Sequence, residues 1–420
     1  MTIKETLAEK GYALPEAFSV GSARAELNPP LGISLAGHGM KNAIEARHST
    51  VNWDELMLCL NIYSDGENVA LTFTYDSCQF GEPVAKPLFE LIEQTYGIPE
   101  ENVVFSGTHT HAGPVMYSRR DVFPKVPEFL DTMFAPTMLR LIDEALRDLT
   151  PATAWIGRGK TEGLNYVRRY VSKKDGSFLG NWPKETLDPS EAKHESEVDE
   201  EMQVVRFVRE GKKDVVLVNW QCHPTSAGGH SKTNTSADWP GIIRKTVGEK
   251  TDSLCTYHQG ACGNIIPFGK LSGEKAFVGD DFRLHGALLS EKVLEILEKN
   301  MIPAACGKVQ IRKDRLPVLK KNPENGFASV PLTAISLGDV AFATVPYEMF
   351  HQNGQQVKEG SPFKTTFICE VTNGDFVYVP AAESFDNGGY EVSICPFGKG
   401  AGEVMAEHLV EMLCALSENK

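Results

Sequence analysis

Two histidines one residue apart stand in the run Ser-Gly-Thr-His-Thr-His-Ala-Gly-Pro at 106–114. A short apolar stretch, 102–105, leads directly into them. If the backbone stays extended there, His109 and His111 point to the same side. Both imidazoles then face one cleft at a strand's C-terminal end, where α/β sheets place their sites. The small residues Gly107, Ala112 and Gly113 leave room beside them. The competing reading is a pair of hydrogen-bonded turn histidines. A second run, Asn-Trp-Gln-Cys-His-Pro-Thr-Ser at 219–226, has the same grammar: an apolar strand, then His223, then Pro224 to stop it. Alone, His223 would read as a satisfied core histidine; its repetition of the His109 context favours a site. In Thr-Val-Pro-Tyr-Glu-Met-Phe at 344–350, a strand ends at Pro346 and Glu348 is expected to open a helix, where the helix dipole favours a glutamate in any case. A fourth run, 373–380, carries an Asn-Gly turn signal followed by Tyr378 in a short extended stretch.

Two neutral imidazoles, a carboxylate and an open position suit catalytic zinc. Such a site brings water to a pKa near about 7, so hydroxide is available at neutral pH. The chain has no Gly-x-Ser-x-Gly elbow, which argues against an ordinary serine hydrolase. It has no P-loop and no Gly-x-Gly-x-x-Gly run either.

These residues need strands to present them, and the pattern supplies strands. Strand-like runs fall at 67–74, 102–106, 152–157, 203–208, 215–220, 254–258, 334–337, 340–345 and 366–371. Helical spacing appears at 83–96, around 138–149, from about Pro240, at 280–299 and at 402–416. The alternation predicts an α/β fold, a mixed β-sheet core flanked by helices; with the zinc-suited residue set above, the expectation is one metal-dependent hydrolase domain spanning 1–420. The polar stretch 170–200 reads as a loop or lid over the site. Trp182, Trp220 and Trp239 could line a polar pocket or pack in the core.

Composition narrows the partners. With 42 Lys+Arg against 56 Asp+Glu, the net charge of −14 argues against a nucleic-acid backbone and against docking on anionic lipid. No apolar run approaches the roughly 20 residues of a membrane span. Nine scattered cysteines without a Cys-x-x-Cys pair, and a charged N-terminus without a signal-like core, predict buried thiols in a reducing cytoplasm. The expected partner is a small molecule, without stable membrane association.

The four runs, in this order, resemble the neutral ceramidase family of zinc-dependent amidases. Ser106 to Pro114 is similar to its Thr-His-Thr-His signature, and His223 to Ser226 to its His-Pro-x-Ser. Ser236 to Asp238, Gly263 to Pro267, Pro346 to Met349 and Asn373 to Ala381 resemble its later segments. The resemblance implies Zn²⁺ held by His109, His223, Glu348 and Tyr378. It implies that His111 holds the polar head of the substrate. It also implies a site arginine, best matched by Arg168, with neighbouring Arg169 as competitor, and Tyr378 as a proton donor to the oxyanion. Asn264 stands where the family has aspartate, and Ser272 is a poor match for a serine proposed to act in that family. Without the family's immunoglobulin-like domain or a secretion signal, the expected substrate is a soluble N-acyl amide. The alternatives are an ester, lactone or glycoside on the same scaffold, or a non-catalytic ligand-binding relative.

Overall fold

Strands that are apolar on both faces need cover on both sides, and several strands here, among them Val69–Tyr75, Val103–Gly107, Val215–Trp220, Val340–Thr344 and Thr365–Cys369, are buried at every residue. The computed structural model, which describes residues 2–37, 47–116, 125–230, 233–374 and 377–418, shows how that cover is provided. Two mixed sheets stack face to face, with helices on both outer surfaces. From edge to edge the larger sheet runs Leu254–Gln259, Val215–Trp220, Glu201–Arg209, Thr150–Lys160, Ser19–Glu26, Met57–Ser64, Val69–Tyr75 and Val103–Gly107, with Ile302–Ala304 pairing off the side of Thr150–Lys160. The smaller sheet runs Val309–Leu319, Phe327–Leu337, Val340–Thr344 and Thr365–Cys369.

Alternation along each strand sorts side chains into layers. Val104, Val215, Leu217, Phe342 and Phe367 meet in the core between the sheets. Leu60, Leu71 and Phe105 face the opposite way, against Ile92 of the helix Glu82–Tyr96 and Leu141 of the helix Ala135–Arg147. Val216 and Val218 pack on Ile243 and Leu289 from the helices Asp238–Thr251 and Phe282–Lys299. Leu332 and Ala343 pack on Leu409 of Ala401–Ser417. Each fully buried Val, Leu or Phe contributes about 1.5–3 kcal/mol.

The edges position the site. Within these two sheets, parallel pairing occurs only at edges: Val215–Trp220 with Leu254–Gln259, Val69–Tyr75 with Val103–Gly107, and Val340–Thr344 with Thr365–Cys369. The segment after Thr365–Cys369 joins all three. Glu370 N–H donates to Gln259 O at 3.1 Å, Phe105 N–H donates to Asn373 Oδ1 at 3.1 Å, and Ser106 bridges to Thr372. The C-terminal ends of three parallel pairs therefore converge on one spot, the usual position for an α/β site.

Two expectations need correcting. Glu348 does not open a helix: Glu348–Met349 is a short strand paired in parallel with Tyr378–Val379, and the helix begins at His351. The stretch 170–200 is not a bare loop, because Phe178–Asn181 and Ala192–His194 flank Arg169–Ser172 in a three-stranded sheet of their own. In the fourth motif, Asp375 and Phe376 lie outside the described residues.

Candidate metal centre

His109 follows the strand Val103–Gly107, but strand alternation does not aim it. Its backbone is left-handed, with φ 67°, and its N–H donates to Ser77 O at 2.9 Å. The turn brings the His109 and His111 rings to 5.0 Å centroid separation. Asp76 braces this turn. Its carboxylate accepts from Thr108 Oγ1 at 3.1 Å and from both Arg244 terminal nitrogens at 3.0 and 2.6 Å. His223 leaves the strand Val215–Trp220 as expected, and its N–H is held by Ile265 O at 3.1 Å. Glu348 and Tyr378 sit directly opposite each other in their parallel bridge.

The four side chains meet in the interior. His109, His223 and Glu348 are fully buried, and Tyr378 nearly so. Nδ1 of His109 lies 2.7 Å from Cys78 O, and Nδ1 of His223 lies 2.9 Å from Ile265 O. A carbonyl can only accept, so both protons sit on Nδ1 in the neutral rings and both Nε2 lone pairs are presented inward. Glu348 Oε2 is 2.8 Å from His223 Nε2 and 3.4 Å from His109 Nε2. Tyr378 Oη is 3.5 Å from His223 Nε2. His109 Nε2 and Glu348 Oε1 are buried without a hydrogen-bond partner among the described residues. Orphaned buried acceptors facing one point, with their imidazoles oriented from behind by carbonyls, fit a divalent cation.

The charges agree. Burial works against the Glu348 carboxylate, but the two facing imidazoles outweigh it and hold its carboxyl well below the usual range. Burial and the nearby Arg168 push the His223 imidazole down to about 4. Burial also pulls on His109, yet Cys78 and Glu348 outweigh it and lift its imidazole well above the ordinary value. Burial and Glu348 push the Tyr378 phenol well above its ordinary value, so it keeps its proton at neutral pH.

Two thiols stand closer than their scattered positions in the chain suggested. Cys78 Sγ is 3.6 Å from His109 Nδ1, and Cys262 Sγ is 3.3 Å from His223 Nδ1. Both approach the ring edge already bonded to a carbonyl. Burial also pushes the Cys262 thiol far above its ordinary value, and it donates to Glu370 Oε1 at 2.8 Å. These sulfurs support the imidazoles from behind and are poor ligands.

A cavity of about 300 Å³ opens beside this cluster, lined by His111, Arg168 and Tyr378 among others. Both arginines of the 168–169 pair are buried, but only Arg168 faces the cavity. Its Nε donates to Glu391 Oε1 at 2.7 Å, and Arg169 Nη1 donates to Glu391 Oε2 at 2.9 Å. Asn181 Nδ2 reaches both oxygens of Glu391, at 2.7 and 2.8 Å. Of the three tryptophans, Trp220 and Trp239 pack on each other in the core, while Trp182 lines the cavity. Glu391 and Glu370 were missed from sequence. Glu370 left one signal, a lone glutamate inside an apolar strand run; it accepts N–H bonds from Cys262 at 3.1 Å and Met349 at 3.0 Å, tying the Gly263 and Glu348 loops together.

His111 itself is held by close packing. Gly37 has φ +93°, and a Cβ built there would lie 2.4 Å from His111 Cγ. Gly37→Ala is expected to displace the His111 ring and lower kcat/KM by about 10²-fold, as small misplacements at a reacting centre do. Elemental analysis should show the metal retained. Unaltered kinetics in this variant would mean that the ring has no part in turnover.

Comparison with known proteins sets this geometry in context. Residues 62–269 match the family described as neutral/alkaline non-lysosomal ceramidase, N-terminal. That span holds His109, His111, Arg168 and His223, whereas Glu348 and Tyr378 lie beyond it. A neutral ceramidase of Oryza sativa subsp. japonica is 27% identical over 199 residues, covering 45% of this chain and 24% of that protein. Neutral ceramidase 1 of Arabidopsis thaliana is 29% identical over 168 residues, covering 38% of this chain and 20% of that protein. The matched stretch is thus a quarter or less of the length of these relatives. In three dimensions, the neutral ceramidase of Pseudomonas aeruginosa superposes with a TM-score of 0.73 at 16% identity, over 97% of this chain and 75% of that one. A structure described as ceramidase complexed with C2 gives 0.74 at 15% identity, over 96% and 76%. The mixed-sheet fold with flanking helices is shared with both.

Proposed function

We propose that this chain, a relative of the neutral/alkaline non-lysosomal ceramidases, is a zinc-dependent hydrolase that cleaves an N-acyl amide bond of a soluble substrate. The observation carrying this reading is the convergence of two carbonyl-oriented imidazoles and a buried glutamate on one point beside an open cavity. His109, His223, Glu348 and Tyr378 would hold the ion. When bound, zinc supplies Lewis acidity and makes hydroxide available near pH 7.

The chain's own residues do the rest. Arg168, fixed by Glu391 and by a 2.7 Å bond from Nη2 to Gly263 O, presents its guanidinium beside Tyr378 and stabilises negative charge developing on the substrate carbonyl oxygen. Tyr378 Oη, beside that guanidinium, donates to the same oxygen. His111 lies beside the cluster, 5.5 Å from the His223 ring between centroids, and holds the polar head of the substrate. The cavity of about 300 Å³ sits at the small end of the roughly 300–1,000 Å³ that encloses drug-sized ligands, which supports a compact soluble substrate over a two-chain lipid. No helix among the described residues is long and apolar enough to cross a membrane.

The test is a panel of N-acyl, ester and glycoside compounds offered to the zinc-loaded protein. Chelator-sensitive turnover of short N-acyl amides is expected, ahead of long-chain ceramide in detergent. Turnover of esters or glycosides alone would move the reading to another bond on the same scaffold, and a strong preference for the long-chain lipid would refute the soluble substrate.

A further inference from the structure

The cavity lining includes a run of aromatic rings and several polar side chains. Tyr378 lies 5.6 Å from Tyr390, and Tyr390 lies 5.3 Å from Trp182, centroid to centroid. The Arg168 guanidinium carbon sits 4.8 Å from the Trp182 ring centroid and 5.2 Å from that of Tyr378. The rings therefore form a ledge that starts at the proposed ligand Tyr378 and runs outward. His111, Thr225 and Ser226 also line the cavity.

Trp182 is held there against its own backbone preference. Its φ is +47°, a left-handed value that bulky residues rarely adopt. It follows directly on Asn181, which is anchored to Glu391, and its own N–H reaches Arg168 O at 3.4 Å. The small sheet of the 170–200 stretch thus delivers an indole to the cavity and locks it to the arginine pair. The positive charge of Arg168 is already answered by Glu391, so this wall does not require an anionic group.

We infer that Trp182 and Tyr390 form the acyl subsite of this centre and restrict it to a short or flat, uncharged acyl group. The inference rests on the hydrolase reading above. The amide carbonyl lies between Arg168 and Tyr378, the polar head faces His111, and the acyl group lies along the ledge. Tyr390 and Val278, which line the cavity, are 39% and 50% exposed. A chain longer than the ledge therefore emerges into water and gains nothing further.

The experiment uses two series with the zinc-loaded protein. One is kcat/KM for N-acyl derivatives of a single amine, from acetyl to palmitoyl. The other is calorimetric binding of the matching hydroxamic acids, which needs no turnover. Wild type is expected to gain about threefold to fourfold per methylene, the value of burying one CH₂, over the first few carbons and then to level off before octanoyl. Trp182→Ala should cut the gain to below twofold per methylene, through KM more than kcat, with zinc content preserved; Trp182→Phe should restore most of it. An unbroken gain to palmitoyl, or an unchanged slope in Trp182→Ala, overturns the subsite. Absence of amide turnover with a sloped hydroxamate series would refute the amidase reading and leave the subsite standing; a flat hydroxamate series would remove the subsite whatever the turnover.

Discussion

His109→Ala is expected to lose bound zinc and to abolish hydrolysis, while His111→Ala keeps zinc and loses activity. The two rings sit one residue apart in sequence and 5.0 Å apart in space, yet their surroundings differ. His109 is fully buried, its Nδ1 is tied to Cys78 O, and its Nε2 faces Glu348. His111 lines the cavity. His223→Ala and Glu348→Ala should behave like His109→Ala. The loss in each should exceed the roughly 10–100-fold that follows removal of an outer hydrogen bond around a metal. Elemental analysis beside kcat/KM reads both effects. Full zinc occupancy in His109→Ala and His223→Ala would sink the ligand assignment, and zinc lost only in His111→Ala would reverse the pair.

Glu391→Ala should be the most destabilising single change near the site. One carboxylate there serves two buried arginines, and Asn181 completes its hydrogen bonds. Among the described residues, removing it leaves Arg168 without an ion partner and Arg169 with Glu195 alone, at 2.5 Å. Breaking a buried pair in this way costs about 3–5 kcal/mol, because a charge stays behind in a dry interior. Urea denaturation of the metal-free protein measures it. A loss below about 1 kcal/mol, the size of an exposed pair, would show that water reaches the arginines. The pH dependence has a definite sign. Burial opposes the Glu391 carboxylate, but Arg168 and Arg169 outweigh it and hold its carboxyl below the ordinary value. Its contribution is therefore complete above the ordinary carboxylate range and is lost as pH falls through the depressed value.

The strands that carry the site were legible because they are short apolar runs ending in a polar turn, a local signal. His109 and His223 could be found for that reason. Glu348 was misplaced as an element: its strand exists only because Tyr378 pairs with it, and pairing across that separation leaves no local trace. The convergence of the HxH rings was expected for the wrong reason, since a left-handed turn brings them together and extended alternation does not. Arg168 and Arg169 could not be separated by type, and only the cavity distinguishes them. Glu391 reads in sequence like any solvated acid on a short helix. Its partners Arg168 and Arg169 come from the far side of the chain, where periodicity carries no information. The stacking of two sheets was equally invisible, because one buried strand looks like another whatever covers it.

The convergence of three parallel strand pairs has a consequence for the order of assembly. The larger sheet alone, formed by residues up to Ala304, brings His109 and His223 but no carboxylate. Glu348 and Tyr378 arrive only when the smaller sheet docks and residues 370–373 bridge Gln259 to Ser106. On the proposed metal reading, ion capture would therefore belong at the end of folding, after the contacts most distant in sequence have formed, the slowest kind to find. On the proposed reading, a captured ion would clasp the two sheets together. On that reading it would stabilise the docked state in proportion to the logarithm of its free concentration, so zinc depletion would lower the stability of the fold as well as remove the proposed chemistry.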